Sequence, residues 1–531
     1  MPPRNLRHFD INFGGGWSTE RGSNFGVGGA AITVPFFINA ENGVYHMDGG
    51  FEKMPGTVKL NTTSISESSV VQSVMGLYEY IRFGTSGIET RKRMCHAGTR
   101  IMKEDLDGVW DELFTGLESG RIPHYATFDD LLIMSSTSSV DVPRSWDQTT
   151  AQNLAGSPPN FAKSASHKNR QWAIDVDSNP SGLYYSVSLD PEDWTGAGSG
   201  SIDIDPNDGD KNMAVFSHKN DLWVLKGPYH GSIHRITGSA PTGSDAFARI
   251  PFIKGVGASN QSCVFKFGDD MGWMGIQGQI HSLSATASFG DFNQAFLSAS
   301  IYSYIRQSLN HQRLEFAWAA THPDKGQVLI VATRAGALQN NVGLLMDYRF
   351  SPVRWSLWPL PRNCASVAMM MDVNQVQRPY YGHYDGFVRQ GDHPNRSWDG
   401  TAISYRLTLP SLNFGSSDFL KTLYTGRLSV VPTGIHTATF QWLRDNAAAQ
   451  TAAVSQGGQD FLGTAADNQF VLGTSRLAGA GFATQAFDMT GEFRDVQFEV
   501  TNSTDNQNVN LHGLGVSMTG GPPTTEAPGV A

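Results

Sequence analysis

Short apolar runs separated by polar turns recur along most of the chain, and their spacing predicts β-strands. Residues 167–173 (HKNRQWA) return 51 positions later as residues 218–224 (HKNDLWV), and Trp273 keeps the tryptophan in a third copy. A second pattern, GSIHRI at 231–236, returns as GQIHSL at 278–283. A repeat near 50 residues that holds only strands is typical of a β-propeller blade, in which four strands take roughly 40–50 residues.

The repeats therefore predict an all-β fold with a β-propeller over residues 65–400. At roughly 47 residues per blade, about seven blades fit this region, and six or eight also agree with the spacing. The blades are predicted near residues 65–106, 107–150, 158–198, 201–240, 249–290, 312–360 and 363–395.

The segments outside these repeats have different patterns. Apolar positions at helical spacing after Asp291 predict one inserted helix over residues 292–309. Polar and apolar residues alternate over residues 401–518, which predicts a C-terminal antiparallel β-sandwich. Residues 1–64 hold much glycine and few apolar runs, and are predicted to form an extended arm. Residues 519–531 are rich in Pro and Thr and are predicted to be a flexible tail.

Composition narrows the classes of function. Apolar residues make up 40% of the chain and charged residues 17%, so the chain can bury large cores. The net charge of −10 argues against a general polyanion binder, because affinity for phosphate backbones comes mainly from Lys and Arg. Only three cysteines are present, far apart and without CxxC spacing, which excludes a disulfide framework and a cysteine zinc site. With no apolar leader or membrane-length run visible, we expect a non-secreted chain without a membrane span.

Three acidic or histidine motifs suggest chemistry, and a structural role is favoured for each. Residues 203–210 (DIDPNDGD) resemble a calcium loop, but Asp208 and Ala214 occupy the positions where glycine and glutamate are required. Residues 190–194 (DPEDW) are similar to the Asp-box turn of sialidase-type propellers, which is a folding element and is incomplete here. His230 and His234 lack an HExxH context.

Two further motifs carry no clear chemistry. Residues 479–484 (GAGFAT) lack the third glycine of a dinucleotide loop and are predicted to be a turn. Arg91, Lys92 and Arg93 form the only basic cluster, with Arg100 and Lys103 downstream, and a solvated strand edge is favoured over a phosphate contact. We predict no catalytic, cofactor-binding or metal-binding residues.

The order of several segments resembles that of bacteriophage tail nozzle proteins, also called tail tubular protein B or packaged-DNA stabilisation proteins. Residues 39–56 (NAENGVYHMDGGFEKMPG) resemble the N…G…K/R-x-P-G opening of the family, although Met54 stands where a basic residue is common. Similar stretches follow at residues 167–172, 190–194, 222–227 and 292–309.

This resemblance implies a structural virion protein rather than an enzyme. Members of the family form a six-fold ring at the distal end of a short podovirus tail and conduct the genome during ejection. The implied partners are the other copies of a homo-hexamer, a portal-adjacent adaptor ring and tail fibre or tailspike proteins. Double-stranded DNA would pass through the ring without specific binding. The implied location is the virion tail, assembled in the cytoplasm of the host bacterium, and no cofactor is implied.

Two other classes of function remain open at this stage. A glycan-binding or glycan-hydrolysing propeller would carry paired carboxylates at the channel mouth. A soluble scaffold of the WD-repeat type would show Gly-His and Trp-Asp blade signatures, which this sequence lacks. Sedimentation of the purified chain and a glycan-hydrolysis assay would separate these classes.

Overall fold

The computed structural model describes residues 6–20, 24–25, 31–84, 87–289, 296–431, 436–445, 447–456 and 483–520. The chain forms two compact units. The first, here called the sandwich unit, comprises residues 1–56, 353–361 and 393–531. The second, here called the propeller unit, comprises residues 57–352 and 362–392.

The repeated HKN motif forms the tight turn between the first two strands of a blade. Lys168 and Asn169 adopt φ angles of 46° and 58°, and Lys219 in the next copy adopts 54°. In the first copy, two consecutive residues at positive φ match the twist of the flanking strands in a type I′ hairpin, whereas in the second copy only Lys219 has a positive φ. In both copies the dipeptide marks where the first strand turns back into the second strand.

Six blades form in the propeller unit, each an antiparallel sheet. Blade 1 holds the strands Val74–Arg82, Thr90–Ala97, Arg100–Glu104 and Trp110–Phe114. Blade 2 holds Pro123–Phe128, Leu131–Ser136, Arg144–Trp146 and Ala151–Asn153. Blade 3 holds Phe161–His167, Arg170–Val176, Gly182–Tyr185 and Gly200–Asp203. Blade 4 holds Lys211–His218, Asp221–Gly227, Ser232–Thr237 and Ala248–Lys254.

The last two blades differ from the first four in their strands. Blade 5 has three strands, Val264–Phe267, Asp270–Met274 and Ile280–Ser282. Blade 6 combines Cys364–Met371, Gln377–His383 and Val388–His393 with the early strand Gly56–Lys59. A short hairpin, Ser66–Glu67 with Val70–Val71, follows that early strand. The Ser366 hydroxyl of blade 6 donates to the Val74 carbonyl of blade 1 at 2.8 Å, which joins the ends of the ring.

The prediction of about seven blades is corrected to six. Residues 312–360 do not form a separate blade. Their strands Trp318–His322, Gln327–Ala332 and Val342–Asp347, here called the 318–347 sheet, belong to the propeller unit, whereas Arg354–Pro359 groups with the sandwich unit. The 318–347 sheet packs between blades 5 and 6, since Thr321 bonds to Lys266 and His322 to Asp392. The period of the sequence repeat predicts the number of repeats, but it does not show which strands belong to the same sheet.

Tryptophans at the equivalent position of three blades form the cores between blades, as their spacing predicts. Trp172 is 1% exposed and packs among apolar residues of blades 3 and 4, including Ile174 and Val224. Trp223 and Trp273 share the next core between blades 4 and 5. Burial of aromatic side chains between neighbouring sheets holds adjacent blades together.

The inserted helical segment is present but shorter than predicted. Tyr302–Ser308 is α-helical and follows a 3-10 turn at Ala299–Ile301, and residues 290–295 lie outside the described part of the chain. A second α-helix, Leu283–Phe289, follows blade 5, and 3-10 turns occur at His311–Phe316 and Pro323–Lys325. Among the described residues, no helix has the length and apolar character that crossing a membrane requires.

The sandwich unit contains two sheets. One sheet orders Ala31–Phe37, Arg7–Trp17, Asn510–Gly520, Lys421–Val430 and Ala483–Phe493, and adds Phe51–Lys53 and Gly43–Tyr45. The other includes Asn24–Phe25, Ser411–Leu412, Val496–Asn502, Tyr405–Thr408, Asn39–Glu41, Arg354–Pro359, His436–Arg444 and Gln450–Gln456. A short hairpin joins Ser397–Trp398 to Thr401–Ala402. Most pairs among the described strands are antiparallel, and three are parallel: Arg7–Trp17 with Ala31–Phe37, Asn24–Phe25 with Ser411–Leu412, and Arg354–Pro359 with Asn39–Glu41.

The N-terminal segment differs from the predicted extended arm. Arg7 pairs with Met518 in an antiparallel register, and the rings of Phe51 and Tyr405, one from each sheet, pack in a tilted arrangement with centroids 5.5 Å apart. Residues 1–56 therefore group with residues 393–531, because alternate side chains of the first strand enter the same core as the last strand.

Of the predicted tail, residues 521–531 lie outside the described part of the chain.

Candidate functional site

Residues on or near the first strands of the blades line two cavities of the propeller unit. The larger, here called the outer cavity, has a volume of about 620 Å³ and is lined by residues of blades 2, 3, 4 and 5. The smaller, here called the inner cavity, has a volume of about 370 Å³ and is lined by residues of blades 1, 2, 5 and 6 and of the 318–347 sheet. His124 and Ser262 line both cavities.

Three charged side chains in the wall of the outer cavity form a chain of ion pairs. The Asp175 carboxylate lies between two ammonium groups, with Oδ2 at 2.7 Å from Lys163 Nζ and Oδ1 at 2.9 Å from Lys211 Nζ. Lys163 and Asp175 are buried, whereas Lys211 is partly exposed. Asp175 also adopts a φ of 60°, which an L-residue keeps only when its surroundings hold it there.

The charge states within this cluster follow from its geometry. Burial alone would raise the pKa of Asp175, but the ammonium groups of Lys163 and Lys211 outweigh burial and lower the pKa to about 2. Burial lowers the pKa of Lys163, and the Asp175 charge opposes that shift. Asp175 is therefore ionised at neutral pH and cannot serve there as a proton donor.

His124 contributes a neutral imidazole to the junction of the two cavities. Burial, with a smaller contribution from Lys163, lowers its pKa to about 3. The side chain is 8% exposed, and no hydrogen bond connects it to another described residue. The Ser262 hydroxyl is also buried without a hydrogen-bond partner among the described residues. Both groups therefore have hydrogen-bonding capacity that the described protein leaves unused.

The inner cavity is more aromatic than the outer cavity. The rings of Tyr78 and Tyr125 stack at 5.1 Å, and the Tyr78 hydroxyl lies 2.9 Å from Thr127 Oγ1. The Tyr125 hydroxyl and the Trp318 indole N–H are buried without a partner within the described residues. This cavity therefore offers ring faces and a few polar atoms, but no ion pair.

The acidic turn at residues 203–210 is a structural element. Asp205 pairs with Arg249, and Asp208 Oδ1 lies 2.9 Å from the Nζ of Lys226, which is fully buried. Asp210 accepts hydrogen bonds from the backbone N–H groups of residues 229–231. Each of these carboxylates therefore has a protein partner. Within the described ranges, no group of three His, Cys, Asp or Glu side chains could hold a metal ion.

We expect Asp208→Ala to lower the free energy of unfolding by about 1.5–3 kcal/mol, because Lys226 loses its carboxylate partner. The carbonyls of Ile204 and Asp205 still accept from Lys226, which limits the loss. Asp203→Ala is the matched control, since exposed Asp203 accepts only from the Asn179 amide in the same unit, and about 0.5 kcal/mol or less is expected. Urea unfolding of both variants measures the difference, and equal losses would contradict this assignment.

The basic cluster of blade 1 is neutralised by carboxylates. Arg93 is buried, pairs with the buried Glu104 at 3.0 Å and lies over the ring of Tyr380. Lys92 pairs with Asp105 at 2.7 Å. The remaining pairs are Arg91 with Glu79 and Glu89, Arg100 with Glu112, and Lys103 with Asp105 and Asp111. The cluster therefore presents little free positive charge to a polyanion.

The other motifs singled out in the sequence also have structural roles where they are described. The Trp194 ring packs against Phe161, and its N–H donates to the Pro191 carbonyl at 2.9 Å. His234 is buried, with its Nε2 at 2.9 Å from the Ser232 hydroxyl, whereas His230 is exposed in a loop. Residues 479–482 lie outside the described part of the chain.

The channel residues do not appear in any sequence motif. Lys163, Asp175 and Lys211 are spread over two blades and are separated by ordinary strand sequence. The one available signal is a lysine near the start of a first strand in each of two successive blades, inside otherwise apolar runs. That signal indicates buried charge but does not identify a site.

Comparisons with solved structures find β-propeller proteins at low identity. No protein-family model matches the chain, and no curated protein matches it. A structure of YCF48 bound to a D1 peptide is similar at 10% identity with a TM-score of 0.38, over 64% of this chain and 97% of that chain. The β-propeller domain of Cps50 (Swd1) from Myceliophteria thermophila is similar at 10% identity with a TM-score of 0.36, over 60% of this chain and 99% of that chain.

A third similar structure is XC5397, a gluconolactonase from Xanthomonas campestris. It is 11% identical with a TM-score of 0.30, over 64% of this chain and 97% of that chain. At these identities and TM-scores the likeness carries no conclusion about function, because one fold hosts many unrelated functions.

Proposed function

We propose that the chain is a structural virion protein of the tail nozzle type, which assembles as a ring of six copies and conducts the genome out of a short-tailed bacteriophage. The observation that carries this proposal is the resemblance, in order, of residues 39–56, 167–172, 190–194, 222–227 and 292–309 to that family. The proposed location is the virion tail, after assembly in the host cytoplasm.

The first resembling segment is a core element of the sandwich unit. Tyr45 and Phe51 are 2% and 0% exposed, with ring centroids 4.9 Å apart. The Tyr45 hydroxyl donates to the Trp355 carbonyl at 2.8 Å, and Lys53 Nζ donates to Asn502 Oδ1 at 2.8 Å. The segment therefore shapes the fold, which is the role expected of a motif in a structural protein.

The charge distribution is compatible with a DNA conduit. The chain carries a net charge of −10, and the only basic cluster of the sequence is paired with carboxylates. A surface of this kind repels a phosphate backbone, and weak contacts allow DNA to pass. We propose that the ring conducts DNA without specific binding.

The channel of the propeller also supports a non-enzymatic role. A glycosidase of the common type needs one carboxyl group that is protonated near neutral pH and a second that is ionised. Of the described residues that line the outer cavity, two are carboxylates: Glu315, and Asp175, which is held in ion pairs by two lysines and is therefore not free to attack or protonate a substrate. We therefore propose that the chain does not hydrolyse glycans.

Immunogold labelling of particles tests the proposed function. Antibodies against the purified chain should label the tail tip of virions produced from the genome that encodes it. The chain should also remain with tails after the heads are removed. Labelling of head surfaces, or absence of the chain from purified particles, would contradict the proposal.

A hydrolysis assay on the same purified chain distinguishes the proposed nozzle protein from a glycan-hydrolysing propeller. The purified chain should release no reducing sugar from the surface polysaccharide of the host. Release that is lost in Asp175→Asn, while the variant keeps its melting temperature, would overturn the structural reading in favour of a glycan-hydrolysing propeller.

A further inference from the structure

We propose that the outer cavity of the propeller is a binding site for a small organic acid with a single carboxylate, held by Lys163 and Lys211. This inference concerns the axial channel within one propeller and goes beyond the proposed role of the assembled ring. Its volume of about 620 Å³ is that of a small-molecule site rather than of a packing defect.

Lys163 supplies the central argument. Its side chain is 4% exposed, and its ammonium group has three donors, of which Asp175 accepts one. No other hydrogen bond connects Lys163 to a described residue. A buried ammonium group with unused donors is costly, and a bound oxygen atom would remove that cost.

His124 and Ser262 provide additional groups around the same space. His124 is 8% exposed and unpartnered, and its neutral imidazole can donate one hydrogen bond and accept another. The Ser262 hydroxyl is buried without a partner among the described residues. A carboxylate that accepts from the Lys163 ammonium could also accept from these two groups.

The charge of the cluster selects the class of ligand. The charged side chains that line the outer cavity are three cations, Arg121, Lys163 and Lys211, and two carboxylates, Asp175 and Glu315, so the lining carries one net positive charge. A monocarboxylate matches that charge, whereas a phosphate dianion exceeds it and a neutral polyol does not use it. Tyr229, 73% exposed, also lines the outer cavity and provides a ring face for the apolar body of the ligand.

Thermal unfolding with added probes tests the site, because a ligand that binds only the folded chain raises its melting temperature. The probes are acetate and hexanoate, with phosphate and glycerol for comparison and chloride to match ionic strength. The carboxylates should raise the melting temperature of the full chain, hexanoate more than acetate. Phosphate and glycerol should have smaller effects.

Two lysine variants of blade 4 separate this site from general salt effects. Lys211→Met removes one cation of the cluster and should weaken carboxylate binding at least about tenfold. Lys219→Met removes the same charge at an exposed hairpin of the same blade and should bind as the wild type does. Equal stabilisation of both variants, no effect of hexanoate, or a larger effect of phosphate would overturn the proposal. Because Lys211 is 43% exposed, the decisive variant does not depend on replacing a buried charge.

Discussion

Lowering the pH from 7.5 to 5.5 should reduce the free energy of unfolding of the propeller by about 5 kcal/mol, because buried histidines cannot take up protons in the folded state. Burial lowers the pKa of His96 and His281 to about 4. Burial also lowers the pKa of His124 and His383 to about 3. All four histidines belong to the propeller unit, as do His167 and His234, whose pKa burial also lowers to about 4, so the loss from four histidines is a lower bound.

The sign of this effect follows from where protons bind. An unfolded histidine titrates near pH 6.5, so below that value the unfolded chain binds protons that the folded chain does not. The contribution of these histidines to the free energy of unfolding is therefore fully present above about pH 6.5 and is lost as the pH falls below that value. Only the pH unit between about 6.5 and 5.5 contributes; there each histidine loses about 1.4 kcal/mol, so four histidines together give about 5 kcal/mol. The lowered pKa of Asp175 acts below about pH 4, outside this window.

Urea unfolding of the full chain at several pH values measures the effect. His281→Gln should make the stability profile shallower, because one of the four unprotonated groups is removed. His230→Gln is the matched control, since His230 is exposed. A stability profile that stays flat from pH 7.5 to 5.5, or equal slopes for the two variants, would contradict the burial of these histidines.

The second large effect is expected from Trp172→Ala, which should cost about 3–5 kcal/mol of unfolding free energy. The Trp172 side chain is 1% exposed, and its ring packs against Tyr185 and Phe247 with centroids 5.0 and 4.9 Å away. Its N–H donates to the His167 carbonyl at 3.2 Å. The variant therefore leaves a cavity between blades 3 and 4 and removes the N–H donor to the His167 carbonyl.

Trp110→Ala is the control for this substitution. Trp110 lies on the outermost strand of blade 1 and is only partly buried, so the same deletion should cost clearly less. Denaturant unfolding monitored by far-UV circular dichroism compares the two variants. Equal losses of stability would mean that the repeated tryptophan is not a core element between blades.

The tryptophan repeat shows how much of the fold the sequence reveals. The HKN turn and the tryptophan that follows it are local features, and they predict hairpins and cores at the correct places. Blade membership is not local. The early strand Gly56–Lys59 completes blade 6, and Arg7 pairs with Met518 although about 500 residues separate them. Spacing along the chain contains no information about such pairs, and the predicted arm and seventh blade differ from the structure for this reason.

The candidate site was less accessible to sequence reasoning than the fold. Motifs with many charges, such as the acidic turn and the basic cluster, attract attention in the sequence but form internal ion pairs. Lys163, Asp175 and His124 sit singly in apolar strands, and only the closed ring brings them to one cavity. Their chemistry depends on burial and on neighbours from other blades, which no short motif contains.

Cryo-electron microscopy of intact particles tests the central claim most directly. The account predicts six copies of this propeller around the DNA channel at the distal end of a short tail, with the axial channel of each propeller separate from the path of the DNA. A particle in which the chain is absent, occupies another position or forms a ring with a different number of copies would contradict it.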